Sequence, residues 1–274
     1  MPTGIAITIG LNEVDPNHYV DGQGNPWSGR LNACENDARD LGELAKSLGF
    51  EWNGPLLTQH ATSVAVKQQV AEIAGRLQPG DLFMLTYSGH GSQVANTNPE
   101  DDPEQDKLDE TWCLYDREFL DDELFSLFSL FAPGVRVVVF SDSCHSGTVA
   151  KAAPGEPIDE FAVAKMLPLD VSTATEKKNE ALYSQLQRDI PTKRLQSVAA
   201  TVVLISGCQD NELSRDGRLN GAFTGALLEA WNDPDARRSL PKLRDKASEL
   251  IPDAYNQHPN YSIYGFDTGP ALVI

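Results

Sequence analysis

Leu82-Phe83-Met84-Leu85-Thr86-Tyr87-Ser88-Gly89-His90-Gly91 and Val135-Arg136-Val137-Val138-Val139-Phe140-Ser141-Asp142-Ser143-Cys144-His145-Ser146-Gly147 share one plan. Each begins with an apolar run rich in β-branched or aromatic residues and ends in a polar turn that contains glycine. Such runs read as buried strands of a parallel sheet. If the two strands are parallel neighbours, His90 and Cys144 emerge at the same carboxyl edge, where open α/β sheets build their sites. A thiol and an imidazole brought there from separate strands form a candidate nucleophile and base.

The surrounding sequence supports an α/β domain. A strand over 4–10 is followed by an amphipathic helix from about Glu35 to Leu48, with Leu41, Leu44, Ala45 and Leu48 as its apolar stripe. A short strand at Leu56-Leu57 and a helix from about Ser63 to Leu77 come next. An acidic loop, a short Trp112–Tyr115 strand and a helix from about Asp122 to Phe131 separate the two motif strands. This alternation predicts a doubly wound sheet with right-handed crossovers. From Lys151 to about Gln196 the patterning weakens. Regular elements resume with a strand at 201–205, helices from about 222 to 231 and 240 to 255, and apolar tracts at 261–264 and 271–274 suited to edge strands or docked tails.

Composition excludes several functions. The chain has 274 residues, 41% of them hydrophobic and 23% charged, which suits an ordinary globular domain. Its formal charge of −18 lacks the basic face that nucleic acid requires. No stretch approaches the roughly 20 apolar residues that span a bilayer. The first ten residues have no basic start and too short an apolar run for a signal peptide, so the cytoplasm is the expected location. Cys34, Cys113, Cys144 and Cys208 are widely spaced, which gives neither a disulfide framework nor a zinc-ribbon pattern.

Cysteine attacks as thiolate, so a neighbouring base must take its proton and later deliver it to the leaving amine. His90 fills that role, since the side chain of His145, directly after the thiol, should project away from it. The glycines at 89 and 91 allow a sharp bend and close approach to a carbonyl. The backbone amides of Gly91 and Cys144 are then placed to stabilise an oxyanion.

Tyr87-Ser88-Gly89-His90-Gly91 and Asp142-Ser143-Cys144-His145-Ser146-Gly147 resemble the histidine and cysteine blocks of metacaspases, caspase-like cysteine peptidases whose prokaryotic members are called orthocaspases. Ala33-Cys34-Glu35-Asn36-Asp37-Ala38, Asp109-Glu110-Thr111-Trp112, Ile205-Ser206-Gly207-Cys208-Gln209-Asp210 and Gly221-Ala222-Phe223-Thr224 agree with it. The resemblance implies a caspase-like three-layer α/β/α sandwich around a mostly parallel sheet. It also implies one peptidase domain over 1–274: a large-subunit-like part at 1–150, a linker at 151–196 and a small-subunit-like part at 197–274.

The resemblance further implies cleavage of polypeptides after arginine or lysine. The pocket for that residue would be formed by Cys34, Asp37, Ser88 and Asp142. A carboxylate beside the nucleophile would hold a guanidinium or ammonium through charge-assisted hydrogen bonds. The basic residues Lys151, Lys165, Lys177, Lys178, Arg188, Lys193 and Arg194 become candidate self-cleavage sites. Many relatives require calcium, held by aspartates that Asp121 and Asp122 match, with Asp101, Asp102, Asp106 or Asp109 as a further source. The remaining aspartate of the family lies seven residues past the nucleophile, where this chain has Lys151. No strict calcium requirement, and no other cofactor, is therefore expected. By the same likeness the chain is expected to be a monomer. Two other readings are a catalytically silent caspase-fold scaffold and an α/β-hydrolase with a cysteine nucleophile. The second lacks its elbow glycines and has its histidine ahead of the cysteine.

Overall fold

The computed structural model describes residues 2–96, 108–144, 161–190, 198–209 and 212–265. Its centre is a six-stranded sheet in the order β2-β1-β3-β7-β8-β9. The strands are β1 (Gly4–Gly10), β2 (Leu56–Leu57), β3 (Leu82–Ser88), β7 (Arg136–Asp142), β8 (Thr201–Ser206) and β9 (Asn260–Gly265). All neighbours run parallel except β9, which closes the β8 edge in antiparallel fashion. The two motif strands are adjacent, with Ser88 opposite Asp142.

Side chains alternate across the sheet and divide the core in two. On one face Ile5, Ile7, Phe83, Leu85, Val137 and Val139 pack against α2 (Ser63–Arg76) and α3 (Asp121–Phe128). On the other, Met84, Val138, Phe140, Val203 and Ile205 meet α1 (Cys34–Ser47), α6 (Ala222–Ala230) and α7 (Leu240–Leu250). This is a three-layer α/β/α sandwich. No helix among the described residues is long and apolar enough to cross a membrane.

Several expected boundaries move. The Asp109–Trp112 block lies inside a strand, β5 (Leu108–Cys113), which pairs with β4 (Gly91–Ala95) and β6 (Glu118–Leu120) in a small antiparallel sheet. α7 stops at Leu250 because Pro252 disfavours helical geometry at Ile251. The weakly patterned segment contains two helices, α4 (Leu169–Lys178) and α5 (Glu180–Asp189). Their buried residues are Val171, Thr175, Tyr183 and Gln187, so the inward face is too polar to give an apolar stripe. The tract at 271–274 lies outside the described residues.

Candidate active site

β3 and β7 deliver their motifs to one edge. Gly89 N–H reaches Asp142 O across the turn, and Tyr87 Oη donates to His90 O at 2.6 Å and to Cys113 O at 3.0 Å. Tyr87 also stacks on Trp112 with centroids 4.5 Å apart, while Trp112 Nε1 donates to Ser141 Oγ at 3.0 Å. Both strand ends are therefore tied to the small sheet.

The imidazole of His90 is buried beside Trp27, and its Nε2 lies 2.9 Å from Gly29 O. A carbonyl only accepts, so Nε2 carries the hydrogen and Nδ1 keeps its lone pair. Nδ1 has no hydrogen-bond partner among the described residues. Burial lowers the His90 pKa to about 4, against the opposing effect of the backbone at Gly29 and Met166. The ring is thus neutral at pH 7 and able to accept a proton.

A segment of the same chain fills the cleft. Lys165 O accepts from Gly91 N at 3.0 Å and from Cys144 N at 3.1 Å, the two amides expected to hold an oxyanion. Lys165 N donates to Ser214 O at 2.9 Å, and Asp216 N donates to Val163 O at 2.7 Å. An antiparallel bridge pairs Ala164 with Arg215, and Leu167 N donates to Gly91 O at 3.0 Å. Residues 163–167 lie as an added strand between 214–216 and Gly91, a common mode of peptide recognition.

The Lys165 side chain descends into a closed pocket with no exposure to water. Its Nζ is 3.0 Å from Asp37 Oδ2, 3.0 Å from Asp142 Oδ2 and 2.9 Å from Ser88 Oγ. Ser88 Oγ donates to Asp37 Oδ2 at 2.6 Å. Burial would lower the Lys165 pKa, but Asp142 and Asp37 outweigh it and hold the ammonium charged. Burial raises the Asp37 pKa, as does the Asp142 carboxylate, against the pull of Lys165. The Cys34 thiol is fully buried next to this cluster, and burial pushes its pKa up.

Four further residues complete the pocket, none singled out by the sequence for that role. Thr224 donates to Asp142 Oδ2 through N and Oγ1, and Ser214 Oγ donates to Asp142 Oδ1 at 2.5 Å. Gly221 N donates to Asp37 Oδ1 at 2.9 Å, and a Cβ at Gly221 would sit 2.2 Å from Lys165 Nζ. Asp216 accepts from Asn32 N and Ala33 N, which fixes the start of α1 and hence Cys34 and Asp37. The Gly29 carbonyl likewise left no sequence signal, because a backbone acceptor belongs to every residue type.

Of the remaining expected residues, Lys177, Lys178 and Arg188 are exposed on α4 and α5, away from the cleft contacts of Lys165. Lys151, Lys193, Arg194 and His145 lie outside the described residues. Carboxylate oxygens of Asp109, Asp121 and Asp122 lie within 4.8 Å of one another. Asp109 Oδ2 also accepts from Gln187 Nε2 of α5 at 2.9 Å. Asp101, Asp102 and Asp106 are outside the described residues.

A three-layer sandwich with a thiol and an imidazole at adjacent strand ends defines a caspase-like cysteine peptidase. Residues 3–265 match the caspase domain family, and the chain belongs to it. It is therefore a cysteine-type endopeptidase acting on polypeptides. Metacaspase-1 of Mycosarcoma maydis is 27% identical over 94% of this chain and 69% of its own length. Metacaspase-1 of Schizosaccharomyces pombe is 25% identical over 98% of this chain and 69% of its own. Other curated relatives extend further, so that this chain spans as little as 58% of them. The crystal structure of the Geobacter sulfurreducens protein GSU0716 is 43% identical, with a TM-score of 0.83 over 97% of this chain and 95% of that one. Caspase-1 of Spodoptera frugiperda, at 14% identity and a TM-score of 0.56 over 96% and 86% of the two chains, shares the fold.

Proposed function

We propose that this peptidase cleaves on the carboxyl side of lysine and arginine with Cys144 as nucleophile and His90 as base. Its own Lys165–Met166 bond is its first substrate. The observation that carries this reading is that one residue, Lys165, occupies two sites at once. Its carbonyl lies between the Gly91 and Cys144 amides, and its ammonium lies between Asp37 and Asp142.

In the reaction, His90 Nδ1 takes the thiol proton and the sulfur adds to the carbonyl carbon of the basic residue. The two amides bind the oxygen as it gains charge, an effect typically worth about 3–4 kcal/mol per donor in such sites. His90 then returns the proton to the departing amine, which for the internal bond is Met166 N. Water attacks the thioester with His90 again as base. The Gly29 carbonyl keeps Nε2 protonated and so aims Nδ1 at the chemistry.

Until the internal bond is cut, residues 163–167 exclude other substrates. Asp109, Asp121 and Asp122 supply the hard oxygen donors that would suit calcium, although the Gln187 amide engages one of them.

Freshly purified protein and a Cys144→Ala variant would be followed by mass analysis and assayed on peptides with Arg, Lys or Asp at the cleaved position. The native chain is expected to split between Lys165 and Met166 and to cut Arg and Lys peptides, while the variant does neither. Preference for Asp peptides, or splitting of the variant, would overturn the reading.

A further inference from the structure

Cys208 has no part in the reaction above, yet it sits against the nucleophile. β7 and β8 run parallel with Ser141 opposite Ser206, and the chain ends that follow carry Cys144 and Cys208. Their sulfurs are 3.5 Å apart. Ser206 Oγ donates to Cys208 O at 3.1 Å, which anchors the turn, and Cys208 Sγ lies 3.5 Å from Ser143 O. A disulfide is about 2.05 Å long, so the sulfurs must close by about 1.5 Å. The strands that lead to the two cysteines are spaced about 4.8 Å apart, within the Cα range that a disulfide bridges, so the closure starts from near that geometry.

One member of the pair, Cys208, also lines a cavity. The cavity, of about 180 Å³, is bounded by Trp112, Ser141, Ser206, Cys208 and Gln209, and no residue of segment 163–167 lines it. Water occupies about 30 Å³ per molecule, so the cavity admits hydrogen peroxide as far as Cys208, and Cys144, which does not line it, is reached from the cleft once Lys165 has left.

We propose that hydrogen peroxide converts Cys144 and Cys208 into a reversible disulfide that switches the peptidase off and protects its nucleophile. The inference rests on Cys144 being the reactive thiol. Its thiolate attacks one peroxide oxygen: an S–O bond forms, the O–O bond breaks, and hydroxide leaves as water with the proton that His90 had taken. Cys208 then attacks the Cys144 sulfenic acid. An S–S bond forms, the S–O bond breaks, and the leaving hydroxide departs as a second water with the Cys208 proton. Two thiols are oxidised and one peroxide is reduced to two waters. Without Cys208, more peroxide carries the sulfenic acid on to sulfinic acid, which thiol reductants do not reverse.

Reduced native protein, Cys208→Ser and Cys208→Ala would be treated with a modest excess of hydrogen peroxide. Each is then mapped as unreduced peptides and assayed before and after a thiol reductant, relative to its own untreated rate. Native protein should yield a cross-linked peptide pair holding Cys144 and Cys208, two hydrogens lighter than the free peptides. Its lost activity should return with reductant. Both variants should instead gain two oxygens on Cys144 and stay inactive. Direct conversion of native Cys144 to sulfinic acid, or full recovery of either variant, would overturn the proposal. The peptide map does not depend on catalysis, so a protein that cleaved nothing would count against the peptidase reading while still testing the disulfide.

Discussion

Lys165 Nζ lies 3.0 Å from Asp142 Oδ2 with both side chains shut away from water, at 0% and 2% exposure. Removing one partner of such a pair strands the other charge, at about 2–5 kcal/mol. A substrate ammonium would meet the same carboxylate. Asp142→Asn is therefore expected to lower kcat/KM on Lys and Arg peptides by about 30-fold or more. Circular dichroism would check that the fold survives, and unchanged cleavage in a folded variant would remove Asp142 from the pocket.

Gly221 leaves the space that the ammonium fills. A Cβ there would stand 2.2 Å from Lys165 Nζ and 2.4 Å from Asp142 Oδ2. Gly221→Ala should abolish splitting at Lys165 and depress cleavage of Lys peptides through KM, since basic side chains no longer seat. Steady-state kinetics on the two peptide classes reads this directly. Native KM in the variant would show that the pocket lies elsewhere.

Glu118 gives a pH dependence with a definite sign. It is fully buried on β6, and neither carboxyl oxygen has a hydrogen-bond partner among the described residues. Burial raises its pKa to about 7, opposed by Ser92 of β4 and Tyr183 of α5 and helped by Glu176 of α4. A carboxyl whose folded pKa exceeds its unfolded value of 4.5 has its full contribution below pH 4.5 and loses it as pH rises through 7. The loss is on the order of 3 kcal/mol. Glu118→Gln should match native Tm near pH 4.5 and exceed it above pH 7, by thermal melts at both ends. An equal difference at all pH values would mean that folding does not raise the pKa of Glu118.

Calcium should be a modulator rather than a requirement. With chelator present, native protein is expected to keep cleaving Lys and Arg peptides, and Asp121→Asn should leave that residual rate within about twofold. Titrating calcium with the peptide assay measures both. Complete loss on chelation would make the aspartate trio essential.

Much of the fold was legible because its strands are short apolar runs closed by polar turns, and its helices carry ordinary stripes such as Leu41, Leu44 and Ala45. The α4–α5 hairpin was not legible, because Thr175, Tyr183 and Gln187 face inward and their burial depends on partners far away in the chain. Gln187 bonds Asp109 and Ala95 O, and Tyr183 Oη meets His18 Nε2 at 2.8 Å.

The site divides in the same way. Cys144 and His90 could be named from local motifs that place each side chain at a strand end, and Asp37, Ser88 and Asp142 from the likeness to metacaspases. The choice of Lys165 among seven basic candidates, the Gly29 carbonyl behind His90, and the approach of Cys208 to Cys144 could not. These depend on backbone groups and on chain segments separated by tens of residues. A local pattern encodes which side chains leave an element and in what direction. Which of them meet is decided by the packing of the elements, and it was the packed sheet edge that brought Lys165 to both carboxylates and both amides.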